Sequence, residues 1–310
     1  MSEDPQEGTG KTPSRCRWRR YGIHLVLFLA TCGTTYLAQG PAFAATLMAI
    51  LLTHEMGHYL MARRHGVDAS LPYFIPLPLA FGTLGAVIRM RSPIKRRDAL
   101  MDIGAAGPLA GLAVALPLLL LGLWQSPVVD TSLQDSAWIE GNSILYILLK
   151  LLAKGLYLPA DGFDVQLGPV AMAAWAGMLV TFINLLPIGQ LDGGHVAVAF
   201  FGDQHERRSP WLHLGLLLVG VVAMTVLALE ARGAGATTLE SLTYGASTAL
   251  PWFIWAGLIL GLRRLSGGLY HPAVGSEPLS ASRRALFWLV LVVFVLIFTP
   301  VPMREALWTR

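Results

Sequence analysis

Apolar runs long enough to cross a bilayer recur along this chain, and they constrain its fold more than any other feature. They cover roughly Tyr21–Leu37, Pro41–Met61, Ala99–Trp124, Val170–Leu191, Trp211–Leu229, Leu250–Leu262 and Ala285–Val301. A spanning helix needs about 20 apolar residues, and the sixth run falls short of that. Lipid offers no partner for backbone polar groups, so such runs are read as helices. Composition agrees: 54% of the 310 residues are hydrophobic and only 14% are charged, against about a quarter charged in soluble domains. The expected fold class is an all-α polytopic membrane protein with about seven transmembrane helices.

Most of the 23 basic residues fall in six clusters: Lys11–Arg20, Arg63–Arg64, Arg89–Arg97, Arg207–Arg208, Arg263–Arg264 and Arg283–Arg284. Cytoplasmic loops collect such charge. With all six inside, the N-terminus is cytoplasmic and the chain weaves consistently. Topology thus accounts for the net charge of +4, and no nucleic-acid partner is expected. Cys16 and Cys32 are too few and too far from other ligands for a disulfide framework or a cysteine metal site. "RCRWRR" and the apolar run after it are read as a signal anchor, because the run exceeds the 7–15 residues of a cleavable signal's core.

Two apolar segments must then stay uncrossed. "LPYFIPLPLAFGTLGAVIRM" at 71–90 carries Pro72, Pro76 and Pro78, which would break a helix. Crossing would also carry Arg89–Arg97 outside. A re-entrant, β-hairpin-like segment turning near "FGTLG" is expected instead, buried in protein or lining a wet cavity. "NSILYILLKLLAKGLYL" at 142–158 carries Lys150 and Lys154 at an i,i+4 spacing, and is read as an amphipathic helix on the outer surface.

"LLTHEMGHYL" at 51–60 places two histidines and a glutamate inside a membrane run. Ionisable groups there cost several kcal/mol and are functional by default. His54 and His58 lie one helical turn apart on one face. Two such imidazoles can grip one metal, and Glu55 beside them can take a proton from metal-bound water: the HExxH arrangement of zinc proteases. A polar helix–helix contact without metal is the plainer reading. A catalytic zinc needs a third protein ligand and an open position. The extended HExxHxxGxxH pattern is absent, since Met61 and Arg64 stand at its last two positions. The next glutamate, Glu140, lies on the far side. An intramembrane aspartate remains. In "AGMLVTFINLLPIGQLDGGH" at 176–195, Pro187 should break the helix and leave Asp192 in a loop toward the cytoplasm. His54 lies nine residues before Arg63, about 14 Å along a helix, so the two elements can meet at similar depth. Asp192 is the preferred ligand and Asp102 the backup.

Taken together these residues resemble the site-2 protease family of intramembrane zinc metalloproteases. "HEMGH" at 54–58 matches the family's zinc motif. Gly177, Asn184, Pro187 and "LDG" at 191–193 match its second motif, with Thr181 a departure. "FGTLGA" at 81–86 looks like its re-entrant hairpin, and "DIGAAGPLAG" at 102–111 like its third core helix. The resemblance covers about residues 41–200. It implies one zinc per chain held by His54, His58 and Asp192, water activated by Glu55, and hydrolysis of a peptide bond in or near the membrane segment of anchored proteins already trimmed by another protease. It also implies that Asn184 holds the substrate or its oxyanion, although a helix–helix hydrogen bond would explain that residue equally well. The hairpin edge, with Gly82 and Gly85 permitting close backbone approach, would bind substrate as an added strand. His195 is either a support for Asp192 or an inert loop residue. The implied organisation is a flexible basic arm at 1–20, a first membrane helix at 21–40, a catalytic core at 41–200 and C-terminal membrane helices at 201–310. A minimal form is expected, with neither the PDZ nor the C-terminal CBS regulatory domain of some members. The implied setting is a multi-pass protein of the bacterial cytoplasmic membrane. A non-proteolytic chaperone or scaffold would have no need of Glu55, and a metal transporter would spread its polar groups along a path.

Reporters fused after Arg97 and after Arg208 should read cytoplasmic, and one near Gln134 should read outside. An outside signal at Arg97 would mean that residues 71–90 cross the membrane.

Overall fold

The computed structural model describes residues 14–130, 138–160, 162–267, 269–272 and 274–305. Residues 1–13 of the expected flexible arm and the outer loop around Gln134 lie outside them, and residues 14–20 of that arm begin a helix. Helix α1 (Ser14–Gln39) passes into α2 (Pro41–Arg64) through Gly40, whose φ of +83° suits glycine alone, and Pro41 then opens α2. The remaining helices are α3 (Arg97–Gln125), α4 (Ile144–Lys154), α5 (Pro169–Asn184), α6 (Asp192–Phe201), α7 (Asp203–Gly233), α8 (Thr238–Leu265) and α9 (Ala281–Ile297). Three short antiparallel pairs join them: β1 (Tyr73–Pro76) with β2 (Thr83–Val87), β3 (Val128–Asp130) with β5 (Phe163–Val165), and β4 (Trp138–Glu140) with β6 (Met303–Glu305).

The chain is mostly helical, as expected, but of the described helices four are long and apolar enough to cross a membrane: Tyr21–Gln39 within α1, and α3, α7 and α8. The short sixth run grows into the 28 residues of α8. The other three expected spans fall below that mark of length and composition. The ionisable residues of α2 dilute its apolar character. α5 stops after 16 residues, just ahead of Pro187, which cannot continue it. α9 has 17 residues.

α3 packs against α2, α5 and α6, with Phe43, Leu47, Leu112, Leu119, Trp175 and Phe182 in the core. Apolar tails compete with apolar side chains, so helices in lipid associate through close contact at small residues. A Cβ on Gly57 would strike the carbonyl of Ala106. One on Gly177 would stand 2.8 Å from Ile50 Cγ2.

Residues 71–90 do form a hairpin. Its turn lies at 77–82 rather than near 81–85, closed by Gly82 N donating to Leu79 O (2.9 Å). The register slips between Phe74 and Pro76, leaving an extra residue on β2, where Gly85 has a φ of +98°. Such a bulge re-aims the side chains after it. The hairpin is fastened to α1: His24 Nδ1 donates to Pro72 O (3.0 Å), Thr34 Oγ1 donates to Gly82 O (2.6 Å), and Phe28 meets Phe74 edge-on.

α4 is amphipathic, but one lysine does not face water. Lys150 is fully buried, with Nζ 2.7 Å from Asp164 Oδ1 and 3.3 Å from Glu140 Oε1; the Tyr146 hydroxyl donates to the same Glu140 oxygen. Ile144, Leu148, Leu151 and Leu152 are the exposed residues. Lys154 donates to the carbonyls of Trp124 and Ser126, oxygens at the end of α3 that its own turns leave unpaired. Lys150→Ala would strand two carboxylates in the interior. It should lower stability by about 3–5 kcal/mol, read as an earlier thermal transition in detergent. The triple change Lys150→Met, Glu140→Gln, Asp164→Asn should recover most of the loss. An unchanged transition in Lys150→Ala would show that the cluster contributes nothing.

Candidate metal centre

α2 carries His54, Glu55 and His58 into the core, each no more than 5% exposed. α6 begins at Asp192, so this residue opens a helix rather than lying in a loop. The positive end of the helix dipole favours a carboxylate there. Asp192 Oδ2 stands 3.2 Å from His54 Nε2, and Oδ1 stands 3.2 Å from His58 Nε2. One donor atom from each of the three residues lies within 4.8 Å of the others.

The proton arrangement tests whether a metal fits. His58 Nδ1 is 2.7 Å from the carbonyl oxygen of Ile103, which can only accept, so Nδ1 carries the proton. A neutral ring then turns a bare Nε2 toward a bare carboxylate oxygen, two lone pairs that call for positive charge between them. Two imidazoles and a carboxylate are a zinc donor set, and tetrahedral bonds of about 2.1 Å put neighbouring donors about 3.4 Å apart. The observed spacings suit this. The Ile103 carbonyl is the kind of outer partner that fixes a ligating histidine's tautomer.

α3 makes room for the rings. A Cβ on Gly107 would fall onto the His58 imidazole, and one on Gly111 would stand 3.1 Å from His54 Nδ1. Gly104 plays the same part for α6, where a Cβ would meet His195 Cβ at 3.0 Å. Sequence reasoning assigned these glycines no role. Their spacing puts them on one helical stripe, and that was the signal to follow.

The backup ligand is elsewhere. Asp102 accepts from Arg283 Nη2 at 2.6 Å and lies 2.8 Å from His65 Nε2, tying the starts of α3 and α9 to the residue that follows α2. Asn184, the last residue of α5, points Nδ2 at His54 Nε2 from 3.4 Å. A cleft of about 180 Å³ opens on the site, lined by His54, Glu55, His58, Asn184, Asp192 and His195, and by Ala86, Val87, Ile88 and Met90 from β2 and the residues just after it. Gly82 and Gly85 are not in its wall. Gly82 lies against the α1 backbone at Thr35, and Gly85 holds the bulge that precedes Ala86. Glu55 makes no hydrogen bond or ion pair among the described residues.

Metal analysis of purified variants checks this arrangement. Asp192→Ala should lose most of its zinc and Asp102→Asn should keep it. Gly107→Ala should weaken zinc binding by about 10- to 100-fold, as loss of ligand support does elsewhere. Full zinc in Asp192→Ala would remove that residue from the ligand set.

The comparisons follow the same residues. The model of peptidase family M50 matches residues 42–229. A rice protein (Oryza sativa subsp. indica), "Probable zinc metalloprotease EGY2, chloroplastic", is 35% identical over 187 residues, 58% of this chain and 33% of the relative. The Arabidopsis thaliana protein of the same name is 34% identical over 187 residues, 58% and 32% of the two chains. "Probable zinc metallopeptidase EGY3, chloroplastic", also from Arabidopsis thaliana, is 28% identical over 273 residues, 78% and 46%. The chain matches about a third of the length of the EGY2 relatives. No solved structure matches it. The relatives are plant proteins named as chloroplastic, so a bacterial cytoplasmic membrane finds no support among them. With the zinc motif, the second motif and the assembled donor set all within the matched residues, this integral membrane protein belongs to peptidase family M50, the site-2 proteases.

Proposed function

We propose that the chain is an intramembrane zinc endopeptidase that cuts membrane-anchored proteins, already trimmed by another protease, in or near their membrane segment. The observation that carries this is the convergence of a metal donor set, an unengaged carboxylate and a strand in one cleft. α2, α5 and α9 are taken to cross the membrane with the four longer helices, giving seven passes with a cytoplasmic N-terminus. The β1–β2 hairpin is taken to be re-entrant.

His54, His58 and Asp192 would hold zinc, which when bound supplies a Lewis acid for water and for the scissile carbonyl. A helical peptide bond is shielded by its own turn, so the substrate must unwind, and the free edge of β2 offers backbone pairing to the extended stretch. Glu55 accepts a proton from the attacking water as the C–O bond forms. It returns that proton to the amide nitrogen as the C–N bond breaks. Asn184 Nδ2 is close enough to His54 to donate to the oxyanion.

Glu55→Gln keeps the side chain's shape and removes the proton acceptor. It should abolish cleavage of a single-span model substrate in proteoliposomes, by at least about a hundredfold, while retaining about one zinc per chain. Cleavage by Glu55→Gln at the wild-type rate would rule out this assignment.

A further inference from the structure

One polar side chain of the cleft has no part in the scheme above. His195 follows Asp192 by three residues, so both leave α6 on the same face, and it lines the cleft beside Glu55 and Asn184. Its Nδ1 lies 2.7 Å from Nε2 of His271, which belongs to the connection between α8 and α9. His271 Nδ1 lies 2.7 Å from the carbonyl oxygen of Pro272. That oxygen can only accept, so His271 Nδ1 carries the proton and the neutral ring presents a bare Nε2. His195 Nδ1 must then donate, which leaves a neutral His195 with a lone pair on Nε2. Nε2 makes no hydrogen bond among the described residues.

His271 is held firmly enough to set this direction. Its backbone N–H and that of Tyr270 both donate to the Glu206 carboxylate of α7, at 3.0 and 2.9 Å. The same connection is fastened at Ser266, which accepts from Gln190 Nε2 at 2.7 Å, and at Gly275, whose N–H donates to Lys95 O at 3.0 Å. The amide nitrogen of Gln190, the other polar residue of this wall, is thereby engaged outside the cleft.

An extended substrate pairs one edge with β2. The N–H and C=O groups of its other edge face away from the sheet and need partners in a site shielded from water. Asn184 Nδ2 is a donor for a carbonyl there. Among the acceptors of the cleft, Glu55 is committed to the proton transfer, and the amide oxygens of Asn184 and Gln190 sit on side chains already held through their nitrogens by His54 and Ser266, so His195 Nε2 is the acceptor aimed by a partner of its own. We infer that His195 Nε2 accepts a hydrogen bond from a backbone N–H of the substrate, and that His271 is the positioning residue that keeps this nitrogen unprotonated. This rests on the proteolytic reading above.

The side-chain amides separate the two bonds of His195. Asn places an N–H where histidine Nδ1 stands and nothing at Nε2; Gln places an oxygen at the Nε2 position. The test uses the full chain in proteoliposomes and a single-span model substrate, with a parallel series in which one backbone N–H at a time near the scissile bond is replaced by an ester oxygen. His195→Asn should keep its zinc and lose about tenfold in kcat/KM, the scale of one hydrogen bond. His195→Gln should recover most of that loss. One ester position should cost wild type about tenfold and cost His195→Asn nothing further. His271→Ala should show a smaller loss, confined to the same position. Wild-type kcat/KM in His195→Asn, loss of its zinc, or equal ester losses in wild type and variant at every position would each overturn the assignment. Equal product release by wild type and Glu55→Gln would instead remove the proteolytic reading, and this inference with it.

Discussion

The closeness of α2 and α3 is the constraint on which the rest depends. Two imidazoles and a carboxylate can face one another in an apolar interior only where a neighbouring helix leaves space for rings beside its backbone. α3 does so at Gly107 and Gly111, and α2 answers with Gly57 against the Ala106 carbonyl. The packing that holds the helices together in lipid is therefore the packing that seats the metal donor set. The Ile103 carbonyl, one turn before Gly107, orients His58 as part of the same contact.

The second requirement is a carboxylate brought in from another helix. The break between α5 and α6 meets it. Asn184 ends one helix and Asp192 begins the next, so both present polar groups at helix termini in the protein interior. The turn between them is tight: a Cβ on Gly193 would strike the Leu185 carbonyl, and one on Gly194 the Gly189 carbonyl. Interrupted helices at membrane depth are tolerated where protein surrounds them. Here α3 covers the break, with Gly104 against the first turn of α6.

The local spacing of the sequence made His54, Glu55 and His58 legible, because i,i+4 on a helix admits one geometry. Depth arithmetic showed that Asp192 can reach the level of His54, and the hairpin could be read from three prolines that exclude a helix. Other features had no local signal. Two lysines at i,i+4 look alike whether their face meets water or protein, and Lys150 turned inward because Glu140 and Asp164 wait there on separate strands. The polar first half of α8 hid a long helix, since Ser241 and Thr243 return their hydroxyls to its own carbonyls. The His195–His271 contact joins residues 76 positions apart, and no periodicity marks it.

The fastening of the hairpin to α1 has a mechanical side. His24, Phe28 and Thr34 grip it over more than two turns, at Pro72, Phe74 and Gly82. At the opposite side of the site, Arg283, Asp102 and His65 lock α9, α3 and α2 into a fixed frame. A tilt or piston shift of α1 would then be a lever stroke delivered to the hairpin whose second strand walls the cleft, while His54 and His58 stay on the frame.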